Sequence, residues 1–232
     1  MPSSSFVPRH LPPVQDRALS ILHRLRERYP RVQSRLHWQS PWELLVATVL
    51  AAQCTDVRVN AVTPVFFARW PTIDSLAQAD IAEVEEVIRS TGLYRSKAKN
   101  LVHSAQRLIF EYQGLVPRSM QDLVTLPGVA RKTANIVLSH GFGIHEGIAV
   151  DTHVKRLSFR LGLTRSTHPK VIESQLMPLF PQRAWGEINH LLVWYGRDVC
   201  RARTPQCSAC ILADICPRHG VFSRNGTYQE GE

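Results

Sequence analysis

The sequence predicts an all-α fold, and three observations carry the prediction. Apolar residues recur at three- and four-residue spacing in one stretch after another. Those stretches open on Ser, Asp or Pro and close on Pro or Gly, as helices do. Only "HEGIAV" at 145–150 reads as extended chain, and no solenoid repeat or nucleotide-type Gly-rich phosphate loop is present.

The elements follow in order. Residues 1–13, rich in Ser and Pro, form an expected flexible tail. From Asp16, Ala18, Leu22, Leu25 and Tyr29 make one helical face, which Pro30 ends. Ser40-Pro41-Trp42-Glu43 has the form of a capping box with proline at the first helical position, and the helix behind it is apolar nearly all round, hence central. Asp80-Ile81-Ala82-Glu83 opens another helix, with Gly92 near its end. Ser96 is the expected start of the next, which carries Leu101, Val102, Ala105, Leu108, Ile109 and Tyr112 before Gly114. Ser119 with Asp122 starts a short helix leading into "LPGVARKTANIVL" at 126–138, a turn at Pro127-Gly128 followed by a helix. Later helices are expected at 152–161, 168–180 and 183–195.

Composition narrows the function classes. The 232 residues suffice for one large or two small domains, and a hydrophobic share of 44% marks an ordinary globular chain. Lys and Arg outnumber Asp and Glu by 28 to 19, giving a net charge of +9 and a pI near 9.8. That imbalance points to nucleic acid or another acidic surface as partner. The N-terminal segment lacks the apolar core of a secretory signal, and the longest apolar run, "LLVATVLAA" at 44–52, is far short of the ~20 residues of a spanning helix. A soluble intracellular protein without a membrane partner is expected.

Five cysteines make no disulfide framework, since the number is odd and four crowd into 200–216. Cys200, Cys207, Cys210 and Cys216 follow the spacing C-x6-C-x2-C-x5-C, close enough to wrap one centre. Clustered thiolates imply a metal that stabilises the anions. Zinc is the commoner centre for four cysteines, and iron–sulfur clusters take the same donors. Zinc folds usually place two close pairs around a longer spacer, and here there is one close pair. Cys54 stands alone in an apolar helix as a small buried side chain.

"LPGVARKTANIVL" puts Arg131 and Lys132 in a first helical turn, where the helix's own partial charge is already positive. A hairpin there exposes backbone N–H groups suited to phosphate, although such turns also serve simply to connect helices. A nucleophilic lysine has to be neutral when it attacks; the helix terminus, a close Arg131 and any burial all disfavour its cation. The position that is poor for stability therefore suits an amine nucleophile, with a surface phosphate contact as the plainer use. Asp151, in "VDTHVKRL", is explained as a helix N-cap; a carboxylate near a lysine is also able to take a proton or stabilise positive charge.

Together these segments resemble the endonuclease III family of DNA glycosylases, within the helix-hairpin-helix superfamily. "LPGVARKTANIVL" is similar to its hairpin and catalytic-lysine helix, "AVDTHVKRL" to its catalytic-aspartate segment, and the cysteine spacing to its cluster loop. "AAQCTDVRVN" at 51–60 and "TGLYRSKAKNL" at 91–101 are similar to its two DNA-intruding segments. The resemblance spans roughly residues 16–217.

It implies two all-α domains: a six-helix bundle over 34–145 holding the hairpin, and a domain built from both termini, 14–33 with 146–217, carrying a 4Fe-4S cluster on Cys200, Cys207, Cys210 and Cys216. A polar tail, 218–232, would follow. It implies a monomeric enzyme in the cytoplasm or nucleoid that binds double-stranded DNA with damaged bases or abasic sites across a groove between the domains. Lys132 would attack the sugar C1′ as an oxidised pyrimidine leaves, Asp151 would assist, and β-elimination would cut 3′ to the lesion. Gln53 and Leu93 would fill and wedge the opened duplex, while Gly128, Ala130 and Arg131 hold its backbone. A monofunctional mismatch glycosylase and a non-catalytic DNA-binding module are the alternatives. Four positions depart from the family pattern. Ala130 replaces the usual last glycine of the hairpin, and costs on the order of 1 kcal/mol if that position needs φ > 0. Cys54 stands for alanine and Tyr195 for histidine, while Val124 lies near a position that is acidic in some members.

Overall fold

The computed structural model describes residues 11–221. Most of the expected N-terminal tail, 1–10, and of the polar tail, 222–232, lies outside the described residues. Every regular element among the described residues is helical: α1 Val14–Arg28, α2 Pro41–Leu50, α3 Asp56–Arg69, α4 Ile73–Ala77, α5 Ile81–Ile88, α6 Tyr94–Tyr112, α7 Met120–Leu123, α8 Arg131–Ile136, α9 Thr152–Arg160, α10 Pro169–Leu176 and α11 Trp185–Asp198. The all-α prediction holds. "HEGIAV" is no strand: Ile148, Ala149 and Val150 are apolar because this connecting segment is buried.

The chain divides into two compact units, residues 33–149 and residues 1–32 with 150–232. In the first, six helices, α2–α6 and α8, and the single turn α7 surround one core. Leu44, Leu45, Ala47, Leu50, Val59, Phe66, Leu76, Val84, Ile88, Leu101, Leu108, Leu123 and Leu138 are almost fully buried there. Helix α2 buries eight of its ten residues, which is why its sequence is apolar all round. Its cap differs from the expected box: Ser40 Oγ accepts from Glu43 N at 3.2 Å, but the Glu43 carboxylate reaches back to Gln39 N, one residue earlier, at 2.8 Å.

Helix α6 starts two residues before the expected Ser96, on Leu93 in the left-handed region at φ 48°. Helix α3 has no expected counterpart, because Pro64 inside it breaks the sequence signal. Thr55 caps it by accepting from Arg58 N at 3.3 Å.

In the other unit α1 packs against α11 and the turn after α10. Ion pairs fix it to the C-terminal segment. Arg24 donates to the Asp214 carboxylate and to Ile211 O, and the Arg26 guanidinium donates to both oxygens of Glu187. Helix α9 crosses α11 closely at Gly196, where an added Cβ would lie 2.7 Å from His153 Nδ1 and 2.9 Å from an Arg156 nitrogen. Among the described residues no helix is long and apolar enough to cross a membrane.

Candidate functional site

The hairpin is built on α6. Gly128 takes φ +77°, and a Cβ there would meet Asn100 Nδ2 at 2.7 Å, so both conformation and space demand glycine. Ser104 Oγ donates to Pro127 O at 2.9 Å, Arg107 donates to Thr125 O at 2.7 Å, and Val129 N closes the turn on Leu126 O at 3.1 Å. Asn100, Ser104 and Arg107 were not anticipated from the sequence. The signal that would have found Ser104 is a polar residue between Leu101, Ala105 and Leu108 on the buried face of α6.

Ala130 is the N-cap of α8 with φ −88° and ψ 167°, an extended conformation open to any residue. The strain anticipated for an alanine at this hairpin position is therefore absent; the left-handed turn is made by Gly128 alone. Arg131 and Lys132 follow in the first turn, both exposed. Burial, one of the contributions weighed for Lys132, is not supplied by its own unit. Helix α8 runs into a π-helical turn at 137–141.

Gln53 and Leu93 share an unusual backbone. At φ 54° and 48° they are two of four non-glycine residues with positive φ among the described residues, and both are exposed. Such a conformation costs about 1–3 kcal/mol and persists where surroundings impose it. Cys54 is half-buried and packs on the core.

Asp151 and the four cysteines lie in the other unit. Asp151 caps α9: its Oδ1 accepts from Val154 N at 2.8 Å. No other side-chain hydrogen bond of Asp151 occurs among the described residues, so Oδ2 is spare. Cys200, Cys207, Cys210 and Cys216 surround one cavity with Leu157, Leu161, Ala213, Val221, Tyr195, Arg160 and Arg218. Burial pushes the Cys216 thiol up to about 11 and raises that of Cys207. Thiols held in this way ionise only against a compensating cationic centre.

Among the described residues no group of three or more His, Cys, Asp or Glu is placed to hold a metal ion. Four thiols around one cavity are the donor set that an iron–sulfur cluster takes. The surrounding groups suit sulfur ligands. Tyr195 Oη lies 2.9 Å from Cys210 Sγ, and Arg160 approaches Cys200 Sγ at 3.5 Å. Arg160 also donates to Arg201 O and Ala202 O, both at 2.7 Å, and Arg156 to Cys200 O at 3.2 Å, which folds the loop around the cavity.

Comparison with known proteins gives the arrangement its kinship. Residues 46–182 match the helix-hairpin-helix (HhH-GPD) superfamily of base excision DNA repair proteins, and residues 200–216 the iron–sulfur binding domain of endonuclease III. The endonuclease III of Synechocystis sp. is 52% identical over 88% of this chain and 93% of its own. Two solved structures are each 40% identical over 88% of this chain. One is a non-covalent endonuclease III–DNA complex, covered to 95% with a TM-score of 0.83. The other is a trapped endonuclease III–DNA covalent intermediate, covered to 96% with a TM-score of 0.84. Two family models in the right order on one chain, with kinship along nearly its whole length, leave one assignment: this chain belongs to the endonuclease III family of base excision repair proteins and is a DNA glycosylase with abasic-site lyase activity and an iron–sulfur centre.

Proposed function

We propose that the enzyme excises oxidised pyrimidines from duplex DNA through a Schiff base on Lys132 and then cuts the strand 3′ to the vacated site. The observation that carries this reading is the 40% identical relative trapped as a covalent DNA intermediate. A covalent intermediate needs a nucleophile, and Lys132 is an exposed amine at the end of a hairpin that resembles the family's catalytic one. Its neutral Nζ attacks C1′ while the base departs with the bonding electron pair. The ammonium so formed gives up one proton, and the C1′–O4′ bond then breaks, O4′ taking a proton as the nitrogen lone pair closes the iminium. Loss of a C2′ proton expels the 3′ phosphate by β-elimination. Asp151, with Oδ2 spare, accepts a proton or stabilises the cationic sugar.

The nucleotide leaves the stack to react. Gln53 and Leu93 occupy the gap, and the backbone around Gly128, Ala130 and Arg131 holds phosphate. Any desolvation of Lys132 beyond its own unit comes from the DNA covering it. Cys200, Cys207, Cys210 and Cys216 hold a 4Fe-4S cluster that shapes the 200–216 loop; when bound it supplies charge and rigidity, and no step of base removal passes through it. The enzyme works as a monomer.

Borohydride trapping tests the reading. Wild type should give a covalent adduct with duplexes carrying thymine glycol or an abasic site and none with undamaged DNA, and Lys132→Gln should give none at all. Base release without strand cleavage or adduct would assign a monofunctional glycosylase instead.

A further inference from the structure

Lys97, in the first turn of α6, is a charged side chain on the buried face of that helix and is only 4% exposed. Helix packing does not call for it. Burial lowers its pKa, so an ammonium is kept there only because polar partners compensate. Those partners are two main-chain carbonyls from different segments. Lys97 Nζ donates to Leu50 O at 2.8 Å and to Thr91 O at 2.9 Å.

Leu50 ends α2, where carbonyls lack helical partners and a cation is favoured. Three residues on stands Gln53, at φ 54°. Thr91 ends the 3-10 turn Arg89–Thr91; Gly92 at φ 69° and Leu93 at φ 48° follow at once. The same residue closes the second loop through its main chain, since Lys97 N donates to Leu93 O at 3.0 Å. One buried ammonium thus ties together the stems of two loops, each carrying an exposed residue in a conformation that costs energy.

We infer that Lys97 is a positioning residue that holds the Gln53 and Leu93 loops in register, so that both enter the duplex in a single event. The inference rests on the reading that these two residues intrude into DNA. Separated from each other, either loop is free to relax its left-handed residue, and the wedge and the filler no longer arrive together.

Lys97→Met keeps the bulk of the chain and leaves both carbonyls unpaired. The experiment compares two substrates: a duplex with thymine glycol, which requires a base to be extruded, and a single-stranded abasic oligonucleotide, which does not. Rates are expressed per active site, counted by borohydride trapping on the single strand. The single-turnover rate on the duplex should fall about 10- to 100-fold, the scale of an ångström-sized misplacement. Strand cleavage of the single-stranded abasic site should stay within about twofold of wild type. The double variant Lys97→Met with Leu93→Ala should be no slower on the duplex than the slower single variant, because both remove one device.

An equal loss on both substrates, or none on the duplex, would overturn the inference. Gln53→Ala and Leu93→Ala separate the two levels. If neither slows the duplex reaction, the intrusion reading fails; if they do and Lys97→Met does not, only the role of Lys97 fails. Should Lys97→Met not fold, Lys97→Gln, with one amide for two carbonyls, should show a smaller loss confined to the duplex, and its absence counts against the inference.

Discussion

Asp151 caps α9 and is proposed to act on the sugar as well, and the two roles separate by substitution. Oδ1 caps α9 by accepting from Val154 N at 2.8 Å, while Oδ2 is spare. Asparagine keeps the capping oxygen and loses the charge; alanine loses both. Asp151→Asn should therefore melt within a few tenths of a kcal/mol of wild type, whereas Asp151→Ala should lose about 1 kcal/mol. Both should slow base excision by about 10²–10⁴-fold, the range for losing an acid–base group. Thermal melts beside single-turnover excision check this; full activity in Asp151→Asn would leave the residue a cap and nothing more. Legibility at this scale was uneven. Asp151 stood out because a capping residue has a sequence signature. Tyr195 was visible only as a departure from the family pattern, because its contact with Cys210 Sγ joins α11 to a loop residue 15 positions away.

At the scale of elements, the hairpin and α6 behave as one piece. Gly128 packs on Asn100, and Ser104 and Arg107 hold the two carbonyls on either side of Leu126. Gly128→Ala sets an alanine at φ +77° and drives its Cβ into Asn100, so it should cost at least about 1–2 kcal/mol. It should also weaken DNA binding, because the turn shifts against α6. Ala130→Gly should change stability by only a few tenths of a kcal/mol, since φ −88° suits either residue and glycine is accepted at an N-cap. Melting curves and DNA titrations of the two variants check the pair; a large effect of Ala130→Gly with a small one of Gly128→Ala would reverse this account. The turn itself was legible, since Pro-Gly before a periodic apolar run has few other readings. Which of its positions is left-handed was not, because that depends on what α6 presents beneath it.

For the molecule as a whole, the iron–sulfur centre belongs to the unit that joins α1 to the C-terminal helices. The cysteine loop is tied to its own unit through Arg160, Arg156 and the Arg24–Asp214 pair. Removing the iron should leave four thiols around that cavity and loosen the loop. Chelation after oxidation of the cluster should therefore destabilise residues 14–32 and 150–221 well before residues 33–149. Hydrogen exchange read unit by unit checks this, and uniform loss of protection over both units would refute it. The +9 charge adds a general attraction to DNA that salt should weaken.

Sequence alone determined the fold class, most helices and the chemistry of the candidate groups. Those depend on local periodicity, caps and the donor types of clustered cysteines, all of which act within a few residues. It missed α3, where an internal proline masks the pattern, and α4, which is only five residues long; "HEGIAV" is apolar because it is a buried connector outside any sheet. Only the tertiary structure decided that Ala130 is unstrained, that Lys132 is exposed in its own unit, and that four cysteines surround a cavity lined by Tyr195 and Arg160. It also placed one buried ammonium on carbonyls 47 and 6 residues away. Such facts turn on which backbone groups of distant segments meet in space, and no local pattern encodes that meeting.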